Sequence, residues 1–291
     1  MVTQTNRLIA GLFFALLCAS GVVRAGEKPM PPWDGKESSA DYAKRAGLEP
    51  TLTLDVGGGV KLELVLIPAG KFMMGSPATE KERLVNETQH EVTLSQPYYM
   101  SQYLVTQEQY EKVMGANPSV FKAAKNPVEQ ISWSTAQDFC KKLSATSGKM
   151  VRLPTEAEWE YACRAGSTTA DCFGDNENGL ADYAWYAGNS GGTTHPVGEK
   201  KPNAWGLYDM HGNVWEWCQD LFGDYPASAA TDPQGPAQGA HHVLRGGSWF
   251  TVAAGCRSAI RGIDLPVGRD AGFGGGVGVI RVVVGAVVNV Q

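Results

Sequence analysis

Residues 152–162 read Arg-Leu-Pro-Thr-Glu-Ala-Glu-Trp-Glu-Tyr-Ala and contain the clearest helix start in the chain. Thr155 and Glu158 have the spacing of a capping box, in which each side chain accepts a hydrogen bond from the other's backbone N–H. The pattern predicts a helix that begins after Thr155 and ends at Gly166. Its expected inward positions are Trp159, Ala162 and Cys163. A polar network around this helix is expected to comprise Arg152, Glu156, Glu158 and Glu160.

Two further helices are predicted on the N-terminal side of this stretch. Thr106 and Gln109 form a second capping box, and Gly115 follows as the residue that ends this helix. Ser132 or Ser134 begins the other helix. The apolar residues of this helix have helical spacing and predict a buried stripe of Ala136, Phe139, Cys140 and Leu143.

Closer to the N-terminus the periodicity changes to that of strands. Apolar and polar residues alternate over residues 52–56 and again over residues 62–66. The glycines at 57–59 lie between the two runs, so the pattern predicts a β-hairpin.

No further helix is predicted after Gly166. The remaining stretch of about 125 residues is dense in Gly, Asn, Asp, Trp and Pro, and a structureless loop of that length is not expected inside a compact domain. We expect short strands and fixed loops held by buried tryptophans. Trp215 and Trp217 would share one face of a strand while Glu216 points to the other. The fold class is therefore α+β with a large irregular fraction.

Six blocks in this order resemble the formylglycine-generating-enzyme family, also called sulfatase-modifying factors. They are residues 66–76 (LIPAGKFMMGS), 105–110 (VTQEQY), 127–133 (PVEQISW), 152–162, 203–217 (NAWGLYDMHGNVWEW) and 245–249 (RGGSW). The resemblance covers residues 51–291 and implies a variant of the C-type-lectin-like fold. Such blocks indicate a fold and leave the activity open, because one fold hosts many functions.

The N-terminus has the features of a secretory signal peptide over residues 1–25. Arg7 supplies the positive charge, an apolar run follows, and Ala25 ends a small-residue cleavage site. The run is shorter than the ~20 residues that cross a bilayer, so stable membrane insertion is not expected, and a membrane anchor is the alternative. Residues 26–50 are predicted to be a loose linker. The protein is expected to be exported to the periplasm, the cell surface or the medium.

The composition excludes one class of partner. The chain has a net charge of -5 and 19% charged residues, without a basic cluster. A surface that binds nucleic acid irrespective of sequence needs such a cluster, so we do not expect nucleic-acid binding.

The family resemblance implies structural calcium at two positions. The first comprises Asn213, Val214 and Glu216, and the second comprises Asp182, Tyr183 and Asn189. Calcium takes six to eight oxygen ligands, and the first set could supply two side-chain ligands and one backbone carbonyl. The alternative is a hydrogen-bonded loop in which Glu216 meets an arginine.

The chemistry of the family enzyme depends on a cysteine pair. That enzyme oxidises a cysteine of an unfolded sulfatase to formylglycine, using two cysteines five residues apart that bind copper(I). Here Thr251 stands at the first position, and Cys256 corresponds better to a structural cysteine that precedes Arg257. A lone thiolate does not provide a copper(I) pair. We therefore expect no copper and no formylglycine-generating activity, and an accessory enzyme of other chemistry remains an alternative.

The segment at about 245–284 differs from the asparagine-rich form that many relatives have. Secreted lectin-fold relatives encoded by diversity-generating retroelements vary this segment at asparagine-like codons, and this chain resembles such a receptor. Drift in a solvent-facing loop is the alternative. The expected ligand-binding residues are Phe250, Thr251, Val252, Ala253, Ile260, Gly262, Ile263, Asp264, Val267, Arg269 and Asp270.

These observations predict an exported monomer that binds a protein or a glycan on an exposed face. Exposed Phe250, Ile260 and Ile263 beside Asp264 and Arg269 would suit a protein ligand, because apolar anchors surrounded by polar groups carry affinity. The alternatives are a sulfatase-modifying oxidoreductase and a structural role in the cell envelope.

The cysteines give the last expectation. Cys218 and Cys256 flank segments that the family brings together in its final sheet, and an oxidising compartment would favour a disulfide between them. The alternative is that both are free and buried. Cys140 and Cys163 are expected to be small buried hydrophobes, and Cys172 to be a free thiol.

Overall fold

A computed structural model describes residues 30–267 and 278–286 and has the expected α+β fold. The helices are α1 (Ser39–Ala46), α2 (Gln107–Met114), α3 (Trp133–Ser147), α4 (Glu156–Arg164) and α5 (Leu180–Tyr183). The strands are β1 (Thr51–Gly57), β2 (Val60–Ile67), β3 (Gly70–Met74), β4 (His90–Leu94), β5 (Tyr98–Ser101), β6 (Val151–Arg152), β7 (Glu216–Leu221), β8 (Ala230–Thr231), β9 (His242–Arg245), β10 (Gly262–Asp264) and β11 (Val283–Gly285). Short 3-10 helices span Glu177–Gly179 and Ala253–Cys256.

The strands form three sheets. The largest has the order β1-β2-β5-β11-β6 and is antiparallel throughout. Its β11 comes from the C-terminal part of the chain, and Val283 pairs with Met100 on one side and Arg152 on the other. The second sheet has the order β10-β9-β7, and the third has the order β3-β4-β8. Strand β11, which comes from the C-terminal part of the chain, therefore lies inside the largest sheet, between β5 and β6.

The three predicted helices begin where their capping residues indicate. Thr155 and Glu158 form a capping box at α4, and Thr106 and Gln109 form another at α2. Ser132 caps α3, and the predicted apolar stripe of that helix is buried. Helix α4 ends at Arg164, before the predicted position, because Ala165 already adopts the left-handed conformation.

The segment predicted to be a loose linker is ordered from Trp33 onward, so that prediction is wrong for this part. Ser38 caps α1, and Tyr42 is completely buried in the main core. The Trp33 backbone N–H donates to the Ala69 carbonyl at 2.7 Å. Gly166 is required opposite this tryptophan, since a Cβ there would lie 2.5 Å from the Trp33 ring. The alternation of apolar and polar residues that identifies strands does not identify a short helix with one buried face, such as α1.

Residues 1–25, the predicted signal peptide, lie outside the described residues. Within residues 30–267 and 278–286, none of the helices combines the length and the apolar character that a bilayer crossing requires.

Buried tryptophans hold the irregular half of the chain, as expected. Trp217 is fully buried, and its indole N–H donates to the Ile131 carbonyl at 2.8 Å. Trp159 is also fully buried and donates to a carboxylate oxygen of Glu216 at 2.8 Å. Each indole N–H thus donates a hydrogen bond to a buried acceptor. These hydrogen bonds position the loop or strand that carries the acceptor, which apolar packing alone would not do.

Candidate functional site

Part of the predicted ligand-binding segment is an exposed apolar surface. The side chains of Phe250 and Val252 are 56% and 67% exposed, and that of Val120 is 66% exposed. The Trp249 ring lies 5.5 Å from the Phe250 ring and 5.5 Å from the Phe121 ring, centroid to centroid. We call Val120, Phe121, Trp249, Phe250 and Val252 the apolar patch. It joins two chain segments that are distant in sequence.

The backbone beneath the apolar patch is held by hydrogen bonds. Trp249 donates its N–H to the Asn213 carbonyl at 2.8 Å, and its own carbonyl accepts from the Ser190 hydroxyl at 2.7 Å. The carbonyl of Thr251 accepts from the Ala187 N–H at 3.0 Å. On the other side, one carboxylate oxygen of Glu129 accepts the N–H groups of both Val120 and Phe121. The exposed side chains therefore project from a fixed base.

The other predicted binding residues are distributed unevenly. Gly262, Ile263 and Asp264 form β10 and are half-buried, whereas Val267 is exposed. Ala253 is half-buried in a 3-10 helix. Arg269 and Asp270 lie outside the described residues.

Ile260 was expected to be exposed, and that expectation is wrong. Only 7% of its surface is accessible, because its neighbours Arg257 and Arg261 are both drawn inward by buried glutamates. Ile260 lies between Arg257 and Arg261 in the sequence, so its side chain is buried together with theirs.

The first predicted calcium position is occupied by an arginine side chain, which is the alternative arrangement. Arg281 donates to both oxygens of Glu216, at 2.7 and 2.9 Å, and both residues are fully buried. The amide oxygen of Asn213 accepts from the His195 N–H at 3.2 Å. A calcium ion beside Glu216 would lie against a guanidinium cation. Asn213, Val214 and Glu216 as arranged do not fit calcium.

The second predicted calcium position does not fit either. The carboxylate of Asp182 is exposed and pairs with Lys201 at 2.8 Å. The Asn189 amide is used within its own loop, where it accepts from the Tyr186 N–H and donates to the Ala184 carbonyl. The Tyr183 ring stacks on a phenylalanine, 4.6 Å away between centroids. Over the part of the chain that the structure describes, no three His, Cys, Asp or Glu residues are arranged to hold a metal ion.

Calcium removal is therefore expected to leave thermal stability unchanged. An ion that binds only the folded state raises its stability, so two positions that do not bind calcium should leave the melting temperature within about 1 °C with chelator or with excess calcium. Differential scanning calorimetry of the chelator-treated protein measures this, with magnesium as the ionic-strength control. A rise of several degrees specific to calcium would show that the loop around Asn213 rearranges to bind it.

The cysteines do not form the predicted disulfide. The structure describes five cysteines, and all are free thiols. Cys218 lies in the apolar cluster around Trp159, whereas Cys256 belongs to a separate small cluster with Leu180 and Ala184. The two thiols therefore lie in different parts of the core. The position of each cysteine next to a family block does not reveal which cluster its side chain joins. Cys172 is a half-buried free thiol, as expected.

The position of the family's copper pair is occupied by groups with other roles. The Thr251 hydroxyl accepts a hydrogen bond from the Ser248 N–H at 3.1 Å. Cys256 is fully buried, and burial raises the pKa of its thiol well above the ordinary range. A threonine hydroxyl and one buried thiol do not supply the two thiolates that bind copper(I).

Buried arginines are the residues that sequence reasoning missed. Helix α4 supplies glutamates, as predicted, but their partners come from the C-terminal segment: Arg245 pairs with Glu160, and Arg261 pairs with Glu156. Arg257 pairs with Glu80 and Glu87 in the same way. Within the polar network expected around this helix, Arg152 pairs with Glu158 at 2.6 Å. The glutamates of α4 indicated the polar network in the sequence, whereas no local sequence pattern identified their arginine partners.

Comparison with known proteins agrees with this fold. The family model described as "Sulfatase-modifying factor enzyme 1-like domain" matches residues 60–282, and the chain belongs to this family. Formylglycine-generating enzyme of Streptomyces coelicolor is 35% identical over 177 residues, which are 55% of this chain and 54% of the enzyme. Serine/threonine-protein kinase pkn1 of Chlamydia pneumoniae is 32% identical over 244 residues, but the chain covers only 37% of that kinase.

Two solved structures are similar over most of the chain. Treponema denticola variable protein 1 has a TM-score of 0.74 and 33% identity, covering 80% of this chain and 98% of that protein. PvdO from Pseudomonas aeruginosa has a TM-score of 0.70 and 29% identity, covering 81% and 99%.

Proposed function

We propose that this protein is an exported, monomeric binding module that recognises a protein ligand through the apolar patch. The observation that carries the proposal is the exposure of Phe250 and Val252 on a backbone that hydrogen bonds hold in place. Large apolar side chains that are fixed and exposed lose little entropy on binding and bury their surface, which is how interface anchors supply affinity.

The alternative activity, oxidation of a sulfatase cysteine, has less support. It would need a reactive cysteine pair near the surface. The Thr251 hydroxyl accepts a hydrogen bond from the Ser248 N–H, and Cys256 is a buried thiol whose pKa is raised by burial. A glycan is the second candidate ligand, since the exposed ring of Phe250 could stack on a sugar face.

The arrangement of the C-terminal segment supports a diversified receptor. The buried residues Arg245, Arg257 and Arg281 hold the frame, whereas Phe250 and Val252 between them are exposed. Such a division would let the exposed positions change without loss of the fold. Retroelement diversification further requires a near-copy template repeat and a reverse-transcriptase gene beside this gene, and their absence from the DNA would exclude it.

Ligand binding is expected to be lost on replacing Phe250 and Val252 with serine together. The double variant removes two exposed anchors, of which Phe250 also contacts the Trp249 ring, so affinity should fall at least about 100-fold while the protein remains folded. Ligands captured from envelope extract are measured by surface plasmon resonance against the purified wild-type protein and the variant.

The matched control is Met150→Ser with Val85→Ser, which alters two exposed apolar residues elsewhere, 81% and 94% accessible. The control should bind as the wild type does. Equal loss in both double variants would contradict the assignment to the apolar patch. Binding to a glycan array that depends on Phe250 would show that the ligand of the apolar patch is a sugar. Copper-dependent oxidation of a Cys-x-Pro-x-Arg peptide would favour the enzyme.

A further inference from the structure

A concave surface lies where β7 ends. It is a pocket of about 370 Å³, within the size range of ligand sites. We call it the β7 pocket. Its mouth is formed by exposed residues of the loop that follows β7, among them Pro226, Gln234 and Pro236. Its floor is formed by buried residues from five elements of the fold, which are Met74, His90, Glu156, Ala157, Asp220 and Arg261.

The charged groups on the floor of the β7 pocket are already paired, with one exception. Arg261 donates to both oxygens of Glu156, at 2.7 and 2.9 Å. The Tyr225 hydroxyl also donates to Glu156, at 2.9 Å, and the Arg261 guanidinium lies 3.8 Å from the centre of the Tyr225 ring. Most of the remaining wall is apolar, so the exception, Asp220, is the polar group that a ligand would meet.

Asp220 carries the observation that points to a ligand. Only 4% of its surface is accessible, and its Oδ2 atom accepts the Glu156 N–H at 2.9 Å. Its Oδ1 atom has no hydrogen-bond partner on another described residue. The unpartnered side-chain atoms that are sealed from solvent do not include Oδ1, so this atom keeps accessible surface. It lies beside Gly235 of the pocket wall, where a Cβ would come within 3.2 Å of it. Oδ1 is therefore open to the β7 pocket and unsatisfied.

The environment of Asp220 favours its neutral form. The nearby cations are committed elsewhere, since Arg261 pairs with Glu156 and Arg152 pairs with Glu158. Burial raises the pKa of Asp220 to about 8, Glu156 and Glu158 raise it further, and hydrogen bonds from backbone N–H groups lower it. Because Oδ2 accepts a hydrogen bond, the proton lies on Oδ1. The group that faces the pocket at pH 7 is thus an O–H donor.

The histidines around Asp220 leave its carboxyl group free. His242 donates from Nδ1 to the backbone carbonyl of Asp220 at 3.2 Å, and not to its side chain. His90 donates from Nδ1 to the Thr88 carbonyl at 3.1 Å, which leaves Nε2 as the acceptor of the neutral ring. This Nε2 atom has no partner among the described residues, and His90 lines the same floor. The β7 pocket therefore offers one unsatisfied donor and one unsatisfied acceptor within apolar walls.

We propose that the β7 pocket binds a neutral amide carried on a small apolar body, with Asp220 donating to the amide carbonyl oxygen. An amide N–H would find its acceptor in His90 on the same floor. A carboxylate is less suited, because it would add a second negative charge beside Glu156. An ammonium is less suited, because it would need Asp220 to ionise in a buried position next to that glutamate. The inference does not rest on the proposed function of the apolar patch.

The probe is benzamide, titrated into the full chain and followed by NMR of methionine methyl groups, with benzoate and benzylammonium as charged counterparts of the same size. We expect benzamide to shift the methyl signal of Met74, which lines the pocket, and to leave that of Met150, which is 81% exposed elsewhere. Benzoate should bind at least about tenfold more weakly. The affinity for benzamide should fall about tenfold from pH 7 to pH 9, because Asp220 loses the proton that it donates.

Asp220→Asn is the variant that isolates this proton. Asparagine keeps a neutral donor at the same place, so benzamide binding should stay within about threefold of the wild type at pH 7 and lose its pH dependence. Asp55→Asn, which alters an exposed carboxylate paired with Lys61, is the matched control and should keep both the affinity and its pH dependence.

If Asp220→Asn does not fold, the pH series and the charged probes test the wild-type protein by themselves. Tighter binding of benzoate than of benzamide would identify Arg261 as the anchor and overturn the proposal. Benzylammonium that binds more tightly than benzamide, with an affinity that rises from pH 6 to pH 8, would show that Asp220 acts as a carboxylate and would overturn it too. No shift of the Met74 signal with any probe would mean that the pocket holds only water.

Discussion

Replacing Glu160 with glutamine is expected to lower the free energy of unfolding by about 3–5 kcal/mol, because it leaves two buried arginines without their shared counter-charge. Glu160 is fully buried, accepts from Arg164 at 2.9 Å and also pairs with fully buried Arg245. Its other contact is the Gly75 N–H at 2.8 Å. Glutamine keeps the shape but removes the charge, so the loss is electrostatic and not a loss of packing volume.

The pH dependence of stability gives the same network a second signature. Burial raises the pKa of Glu160, but the guanidiniums of Arg164 and Arg245 outweigh that effect and hold it below its ordinary value. A carboxyl whose pKa is depressed in the folded state stabilises the protein above its unfolded pKa, ~4.3 for glutamate, and this stability is lost as the pH falls below that value. The glutamine variant should lack this part of the acid dependence.

Urea denaturation followed by tryptophan fluorescence measures both effects. Glu91→Gln is the control, since the pair of Glu91 with Lys71 is about half-exposed and should contribute no more than about 0.5 kcal/mol. A Glu160→Gln protein within about 1 kcal/mol of the wild type would mean that the buried arginines find another partner or water.

Local signals were sufficient for the helices. The capping boxes at Thr106 and Thr155 specify two starts because side chain and backbone satisfy each other within four residues. The hairpin of β1 and β2 follows from alternation and three glycines, again within a short stretch. Features of this kind can be predicted from the sequence alone, since their energetics involve neighbours along the chain.

The candidate site depends on contacts that no local pattern contains. Phe121 and Trp249 form the base of the apolar patch although more than a hundred positions separate them. Ile260 is an apolar residue of the kind expected at an exposed binding surface. It is buried because the arginines near it in the sequence are held in the interior. The partner of Glu216 likewise depends on where Arg281 lies in three dimensions, so the sequence favoured calcium and left an arginine as the alternative.

The ion pair of Arg281 with Glu216 shows which position of the C-terminal segment cannot change in sequence without loss of buried contacts. Arg281 is fully buried and, besides Glu216, donates to the carbonyls of Ser101 at 2.9 Å and Tyr208 at 2.8 Å. It therefore connects β5, β7 and the loop that precedes β7. A segment that supplies such a residue can change its exposed positions, such as Phe250, but not this one.

Arg281→Met is accordingly expected to destabilise the protein by about 3–5 kcal/mol, because Glu216 would remain as a buried charge whose one remaining side-chain donor among the described residues is the Trp159 N–H. Glu216→Leu should cost a similar amount for the opposite reason, since it leaves the guanidinium unpaired. The double variant removes both charges and should be less destabilised than the sum of the two single variants by about 1–3 kcal/mol. Urea denaturation of the four proteins in this cycle measures the coupling. Strict additivity would show that the two residues stabilise the fold independently and that Arg281 acts through its carbonyl contacts. A calcium-specific gain in stability of Arg281→Met would show that Glu216 accepts a metal once the arginine is removed.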